Sequence, residues 1–330
     1  FLSAFLFGPA SAHETGSGLS GEPFSDPSEL TPMSSEWKKK AIVYDSWAEK
    51  EDADIAISLE QDVYQIILPL IRKYEKDTGL HIAVKEGTCG IAAGMLAKKS
   101  VDVGGFCCPA GKEDRLPSLR YHTLGIVSKA FFVHPANPVD SLDEQQLTNI
   151  YRGKISRWSE VKTPGGAPGP DLAIRAIARL HCQLRPGHWR LMLDADKDFS
   201  ARISEVGSIP DMVSQVSAHK DAIGWEVLSM VERYKSLGSV KVLKLNGLLP
   251  SDAGALAAHR YPFYRVYTVT TWEGKNLENA RAQKLVQYLI SEVERLDAGR
   301  FGFASPERLK KAGWRFSGDE LIGEPRGAGK

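Results

Sequence analysis

An alternation of strand-like and helix-like segments over residues 54–106 constrains the fold more than any other feature of this sequence. Three short β-rich runs are separated by two runs of helical periodicity, and Gly79 is expected to end the first helix. A β-α-β-α-β order predicts a parallel sheet with helices on both faces, so the fold class is α/β. The predicted strands are Asp54–Ser58 (DIAIS), Leu80–Lys85 (LHIAVK) and Val101–Phe106, and the predicted helices lie over Val63–Tyr74 and between the turn Gly87–Gly90 and Lys99.

The later sequence predicts a second sheet. Ser141 and Glu144 have the spacing of a capping box, which predicts a helix that begins at Ser141. A long amphipathic helix is expected from Ala280 to Leu296. The predicted strands of this part are Ala173–Arg179, Ala222–Glu226 and Tyr261–Thr271.

Length and charge narrow the function classes. The chain has 330 residues, enough for one large or two ordinary domains, and its formal net charge is +1. A chain without strong net charge has no global field that would attract nucleic acid, so no nucleic-acid partner is expected. Beyond the N-terminus, no apolar run approaches the ~18 residues of a membrane span.

The N-terminal run FLSAFLFGPASAHE combines an apolar stretch with Ala10, Ser11 and Ala12, which fits a signal-peptide cleavage site. Residues 1–12 are therefore interpreted as the remnant of a signal peptide, the alternative being a ragged apolar terminus. Residues 13–52 are predicted to form a flexible lead-in, and 318–330 a flexible tail, because Gly, Ser and Pro are frequent there. We expect an exported protein, periplasmic or extracellular.

Residues 132–161, FVHPANPVDSLDEQQLTNIYRGKISRWSEV, carry the most specific pattern. This stretch resembles the entry to the second domain in the periplasmic phosphate-binding proteins of ABC transporters. Further segments resemble the same family in the same order over roughly residues 53–305. They are Asp102-Val103-Gly104, Ala222-Ile223-Gly224-Trp225, and Tyr261-Pro262 with Arg265.

The resemblance implies a two-lobed binding protein in which each lobe is a mainly parallel sheet flanked by helices. Lobe 1 would comprise residues 53–131 and 263–317, and lobe 2 residues 132–262. The chain would cross between the lobes near Val133–Pro135 and near Tyr261–Arg265. Ligands of such folds bind in the cleft between the lobes, at the carboxyl ends of strands.

The candidate ligand-binding residues lie on four loops expected to face this cleft. A small oxyanion such as phosphate is held by neutral N–H and O–H donors, helix N-termini and an arginine fork. Ser58 and Thr88 are the hydroxyl candidates, with helix capping as the alternative role, and Arg179 is the arginine candidate, with a solvated strand end as its alternative. The full set is Ser58, Thr88, Cys89, Gly90, Cys107, Arg179 and His181.

The candidate site departs from the pattern that the resemblance implies. Cys107 stands where the family has an Asp, and Phe106 where it has a Ser. The loop after Arg179 lacks the expected Gly-Ser-Gly-Thr, and Cys89 replaces a Gly or Ser. The expected ligand is thus a small oxyanion, either phosphate or a relative of it.

All four cysteines, Cys89, Cys107, Cys108 and Cys182, fall on the loops expected at the cleft. Disulfide use is one interpretation, since export favours oxidation, and a bond from Cys182 to lobe 1 would lock the cleft. A soft-metal site for Zn or Cu(I) from Cys107, Cys108, Cys182 and His181 is a second, weaker one. Buried inert thiols are the third.

The leading hypothesis is an extracytoplasmic solute-binding protein that passes a small oxyanion to an ABC permease or signals its presence. The sequence has no recognisable catalytic motif, so we expect neither enzyme activity nor a cofactor. The alternatives are a structural or accessory subunit of an extracellular assembly with a disulfide-sealed cleft, and a soft-metal binding protein.

Overall fold

The structure, a computed structural model, describes residues 24–162, 168–180, 192–193 and 196–325. The strands are β1 Ile55–Glu60, β2 Ile82–Gly87, β3 Val103–Phe106, β4 Leu119–Val133, β5 Ser141–Leu142, β6 Arg175–Ala178, β7 Ser204–Glu205, β8 Ala222–Val227, β9 Lys241–Val242, β10 Lys244–Leu245, β11 Tyr264–Trp272, β12 Phe303–Ala304, β13 Arg315–Ser317 and β14 Glu320–Gly323. The helices are α1 Ser35–Lys39, α2 Ser46–Glu49, α3 Gln61–Thr78, α4 Cys89–Lys98, α5 Glu144–Tyr151, α6 Ile209–Ala218, α7 Leu228–Arg233, α8 Ala253–Ala257, α9 Ala280–Val293, α10 Ala298–Phe301 and α11 Pro306–Lys311.

The main sheet has the strand order β2-β1-β3-β11-β4-β8-β6-β7. In its first half, β1 pairs in parallel with both β2 and β3, which confirms the predicted β-α-β-α-β unit. Helix α3 starts where the Glu60 side chain accepts a hydrogen bond from the backbone N–H of Asp62, and it ends at Gly79 with φ 69°. The apolar face of α3 packs into the same core as β1.

The second half of the sheet is built from β8, β6 and β7, which are parallel to one another. Helices α5 and α6 supply apolar side chains to the two cores of this half. Trp158 and Trp225 are completely or almost completely buried there, which agrees with core packing for both. The two halves are the two lobes of the expected α/β fold.

Strand β4 belongs to both halves. It pairs antiparallel with β11 up to Ser128 and antiparallel with β8 from Lys129 to Val133. The chain therefore passes between the halves at Ser128–Lys129, earlier than the crossing expected at Val133–Pro135, because the strand continues unbroken across the boundary. It returns at β11, which begins at Tyr264 and lies between β3 and β4.

A β-bulge interrupts the pairing of β4 with β11. Tyr267 lies opposite Gly125 and Thr268 opposite Thr123, so Leu124 is the extra residue. Gly125 has φ 149°, and a Cβ atom placed there would lie 2.5 Å from the carbonyl oxygen of Ala304. Glycine is required here by both the backbone conformation and the close approach of another chain segment.

The lead-in predicted over residues 13–52 contains ordered structure from residue 24 onward. Helices α1 and α2 form in this part, and Trp37, Ile42 and Tyr44 pack against the core of the first half. The fully buried Lys99 donates from Nζ to the carbonyl oxygens of Trp37 (2.8 Å) and Lys40 (2.6 Å). Residues 1–23, which include the predicted signal remnant, lie outside the described residues.

The tail predicted over residues 318–330 also contains structure. β14 pairs with β13, and the buried Arg115 guanidinium forms an ion pair with Glu320 at 2.7 Å. Residues 326–330 lie outside the described residues. Composition alone overestimates flexibility here because it does not register these long-range contacts.

The predicted cap of helix α5 is wrong by two residues. Ser141 lies in β5, where it pairs with Lys244, so it is not the helix cap. Asp143 caps the helix instead, and it forms the capping box with Gln146. Within the described parts of the chain, no helix is both long enough and apolar enough to cross a membrane.

Candidate functional site

Six ionisable side chains of the described residues are buried where the two halves of the sheet meet. Three are acidic and three are basic, and each is at most 8% exposed. Burying charges is costly unless they are paired, so a balanced group of this kind requires close mutual contacts. The group, called here the charged cluster, comprises Glu60, Asp62, Lys129, Arg179, Glu226 and Arg265.

Arg265 is at the centre of the charged cluster. The second residue of β11, it donates from Nη1 to Asp62 and, at 3.5 Å, to the sulfur of Cys107. Its Nη2 lies 3.6 Å from Glu226 Oε2, which is an ion-pair contact longer than a hydrogen bond. Burial lowers the pKa of Arg265, but the charges of Asp62, Cys107 and Glu226 raise it by more than burial lowers it. The net pKa is raised, so the guanidinium stays charged.

Arg179 binds the carboxylate of Glu226 with two nitrogens. The distances are 2.8 Å from Nε to Oε1 and 3.3 Å from Nη2 to Oε2. Burial lowers the pKa of Arg179, yet the neighbouring Glu226 more than compensates, and the net pKa is raised. Glu226 thereby links Arg179 to Arg265 across the junction of the two halves.

Two carboxyl groups lie at the carboxyl end of β1. Burial, together with the charge of Asp62, raises the pKa of Glu60 to about 8, although Arg265 opposes the shift. Burial also raises the pKa of Asp62, while its contact with Arg265 lowers it in part. A Glu60 carboxyl that keeps its proton at neutral pH is able to donate a hydrogen bond.

Several buried donors at the site have no hydrogen-bond partner among the described residues. They include Nε and Nη2 of Arg265 and the hydroxyls of Ser58 and Tyr267. Ser58 lies two residues before Glu60 on the same face of β1, and Tyr267 lies two residues after Arg265 on β11. Since an unsatisfied buried polar group costs about 1–3 kcal/mol, such donors call for an acceptor.

The cysteine sulfurs are close to the charged cluster. Cys89 Sγ lies 3.7 Å from Cys107 Sγ, and Cys107 Sγ lies 4.0 Å from Cys108 Sγ, and both are non-bonded distances. The hydrogen bond with Cys108 lowers the pKa of the Cys107 thiol, but the hydrogen bond with Cys89 and burial together outweigh it, so the net pKa is raised.

The structure brings four of the predicted ligand residues to this junction: Ser58, Cys89, Cys107 and Arg179. Ser58 lies inside β1, not at the start of the following helix, because the strand continues to Glu60. Thr88 is exposed and caps α4 by accepting from the N–H of Ile91, and Gly90 is exposed beside it. His181 and Cys182 lie outside the described residues.

Five members of the charged cluster were not predicted as site residues: Glu60, Asp62, Lys129, Glu226 and Arg265, the last of which was named only within a family-like segment. Lys129 carried a usable signal, since it is the single charge in the apolar run LGIVSKAFFV, and Glu226 ends the apolar run AIGWE. Glu60 and Asp62 carried none, because acidic residues are common at the start of exposed helices.

The same region offers three oxygen and sulfur ligands to a metal ion. Atoms of Glu60, Asp62 and Cys107 all lie within 4.8 Å of one another. However, the Arg265 guanidinium contacts both Asp62 and Cys107, and a buried positive charge at that distance disfavours a cation. This part of the site is therefore better suited to an anion beside Arg265.

Comparisons with known proteins give a consistent result. The chain is 24% identical over 250 residues to the phosphate-binding protein PstS of Bacillus subtilis (strain 168), which covers 74% of this chain and 77% of that protein.

Solved structures with the same fold include an ABC-type phosphate transport receptor from Vibrio cholerae, with a TM-score of 0.57 and 23% identity over 76% of this chain and 99% of that chain. A putative phosphate ABC transporter substrate-binding protein with bound phosphate, from Clostridium perfringens, has a TM-score of 0.60 and 17% identity over 76% of this chain and 98% of that chain. At these identities the likeness establishes the fold, and it agrees with the two-lobed architecture.

A family match covers most of the described structure. Residues 46–293, from helix α2 to the end of α9, match the family described as "PBP superfamily domain". This range contains every member of the charged cluster and both halves of the main sheet. The chain is therefore a member of the PBP superfamily.

Proposed function

We propose that this protein is an exported substrate-binding protein that captures a small oxyanion, phosphate or a relative, between its two halves. The observation that carries the proposal is Arg265, a buried guanidinium whose Nε and Nη2 lack hydrogen-bond partners among the described residues. The unsatisfied hydroxyls of Ser58 and Tyr267 supply neutral donors near it. A desolvated oxyanion is recognised by such a set of charged and neutral donors.

An anion at this site would have to compete with the protein's own carboxylates. Asp62 and Glu226 already contact Arg265, and their negative charges oppose a further anion. A protonated Glu60 reduces this opposition, because it adds a donor in place of a charge. Binding is thus expected to strengthen as pH falls below about 8, so long as the anion keeps its charge.

The relatives' names support the biological setting. They include a phosphate-binding protein and components described as an ABC-type phosphate transport receptor and an ABC transporter substrate-binding protein. By analogy, we infer delivery to an ABC permease, or sensing, outside the cytoplasm, with binding and no catalysis as the activity.

The test is a ligand panel on protein shown by native mass spectrometry to be unliganded. Phosphate, sulfate, molybdate and tungstate are added separately, and the unfolding midpoint and calorimetric affinity are measured. At least one anion is expected to stabilise the fold, by ~2.7 kcal/mol when present at 100 times its Kd.

The matched variants are Arg265→Lys, which keeps the charge but loses the fork, and Arg120→Lys at an exposed ion pair with Glu273. We expect the first to weaken anion binding at least ~10-fold, or about 1.4 kcal/mol, and the second to leave it unchanged. The proposal is wrong if no anion shifts the midpoint of the wild-type protein.

A second candidate function is favoured by the two internal ion pairs. Arg179 is bound to Glu226 and Arg265 to Asp62, so the protein's own carboxylates already satisfy part of each arginine. A cleft sealed in this way would suit a structural or accessory subunit of an extracellular assembly. This alternative predicts no stabilisation by any member of the anion panel.

A further inference from the structure

Two cysteine side chains meet at the carboxyl end of β1. Strand β1 lies between β2 and β3, with Cys89 shortly after β2, as the first residue of α4, and Cys107 directly after β3. Their sulfurs are 3.7 Å apart although the residues are 18 positions apart in sequence, and both side chains are buried. A modest shift of either side chain would bring the sulfurs to bonding distance.

The sulfur of Cys107 is also part of the proposed anion site. It accepts a hydrogen bond from Arg265 Nη1 at 3.5 Å, and it lies within 4.8 Å of carboxylate oxygens of Glu60 and Asp62. Whatever alters this sulfur therefore alters the contacts of the guanidinium that we assign to the anion.

We propose that Cys89 and Cys107 form a redox-sensitive pair that regulates the affinity of the Arg265 site for its anion. In the first step one cysteine loses its proton and attacks a disulfide oxidant, which releases one thiolate and leaves a mixed disulfide. The second cysteine then loses its proton, attacks the mixed disulfide and releases the other thiolate. The protein loses two protons and two electrons, and the oxidant leaves as two thiols.

Joining the sulfurs changes the surroundings of Arg265. A disulfide bond measures about 2.05 Å, so the sulfurs must approach from 3.7 Å. The bonded Cys107 sulfur can no longer become a thiolate, so it is a weaker acceptor for Arg265 Nη1. Arg265 Nη1 then has a weaker competing acceptor and is more available to an anion. The oxidised protein should therefore bind the anion more tightly, an expectation that rests on the proposed function.

Among the cysteines that the structure describes, Cys108 is the other possible partner of Cys107. Its sulfur lies 4.0 Å from Cys107 Sγ, against 3.7 Å for Cys89, and a disulfide between adjacent residues is strained. We therefore expect the pair to form with Cys89.

Peptide mapping tests the pairing. Trypsin cleaves after Lys98 and Lys99, so Cys89 falls on one peptide and Cys107 and Cys108 share another. Native protein is equilibrated with oxidised glutathione, its remaining thiols are alkylated, and the digest is analysed without reductant. We expect the two peptides to be joined in the wild type and in Cys108→Ala, but not in Cys89→Ala. A bond from Cys107 to Cys108 or to Cys182, or no bond at all, would overturn the proposal.

Calorimetry with phosphate, or with the panel anion that binds best, tests the regulation. Oxidation is expected to tighten binding ~3- to 10-fold in the wild type and to have no effect in Cys89→Ala. An unchanged or weaker affinity after complete oxidation means that the regulation is wrong. If no anion binds in either redox state, the proposed function fails, and the peptide map still decides whether the cysteines pair.

Discussion

The side chain of Lys129 is buried at the position where β4 passes from one half of the sheet to the other. It is 1% exposed, and its Nζ lies 5.9 Å from the centre of the Trp225 ring. Burial, with Arg265 as the next cause, lowers the pKa of Lys129 from 10.5 to about 7, although Glu226 opposes the shift. The surroundings of Lys129 in the folded protein thus favour the neutral form of its amine.

This burial predicts a pH dependence of stability. Between pH ~7 and ~10.5 the unfolded chain binds more protons at Lys129 than the native protein, so the free energy of unfolding rises with pH in that window. Lys129→Met removes this contribution, so the variant should gain stability relative to the wild type as pH falls from 10 to 7. Urea denaturation at three pH values measures the difference.

The control for this experiment is Lys76→Met, on the exposed face of α3. Its stability difference from the wild type should be nearly independent of pH, because this side chain is exposed to water in the native and in the unfolded protein. A Lys129→Met difference that is equally flat would contradict the assigned burial.

At this scale the sequence predicted about half of the site. Arg179, Ser58, Cys89 and Cys107 were among the predicted ligand residues because the family resemblance implied a cleft at the strand ends and glycine-rich turns on which they lie. Residues such as Asp62 were not, because Asp62 is paired with Arg265, which is far away along the chain but in direct contact in the fold. Local pattern contains no information on such a contact.

Among the elements, the bulged pair of β4 and β11 positions the site. The bulge lies between Tyr267 and Thr268, close to Arg265 on the same strand. Gly125, at the bulge, combines a positive φ with surroundings in which an added Cβ atom would lie 2.5 Å from both Ala304 and Phe303. These features tie the position of Arg265 to the geometry of one glycine.

We expect Gly125→Ala to destabilise the protein by about 3 kcal/mol. Part of this cost is the unfavourable backbone conformation, and the rest is the clash with the Ala304 carbonyl. The matched control is Gly94→Ala in α4, where a Cβ atom meets no atom within 4 Å. That change should stabilise by about 0.5–1 kcal/mol, because alanine is the better helix former. Equal effects of the two changes in urea denaturation would contradict this account.

Element types followed from periodicity, whereas element ends depended on tertiary partners. The strand at Ala222–Glu226 and the helix from Ala280 were predicted because their patterns are long and regular. The start of α5 was wrong because Ser141 pairs with Lys244, a partner that no local window contains.

In the whole molecule, the two halves are held together outside the charged cluster as well. Arg233 at the end of α7 donates two hydrogen bonds to Glu86 at the end of β2, at 2.8 and 3.2 Å. Met230 and Val227 of the second half are buried in the core cluster of the first half. The described conformation is therefore closed, with ionic and apolar contacts between the halves.

We expect Arg233→Met to favour a more open conformation. The ion pair is partly exposed, so its loss should cost about 1 kcal/mol, which corresponds to a roughly 5-fold shift in the closed-to-open ratio. Small-angle scattering of the anion-free protein should show a larger radius of gyration, and anion affinity should fall.

The control is Arg157→Met, which removes the exposed contact with Asp171 inside the second half. This change should leave the radius of gyration and the affinity as they are. An identical response of both variants would mean that the Arg233–Glu86 contact does not hold the halves together.

The insertion of β11 between β3 and β4 has a consequence for biogenesis. Strands β1 to β4 leave the ribosome long before residues 264–272 exist, so the sheet edges of β3 and β4 that face β11 stay unpaired during most of synthesis. Until then neither Asp62 nor Cys107 has the contact that Arg265 makes in the folded protein. A chain that stops before Arg265 is therefore expected to fold poorly, because β3 and β4 lack the strand that lies between them. Folding of the nascent protein is thus expected to wait until residues 264–272 have been made.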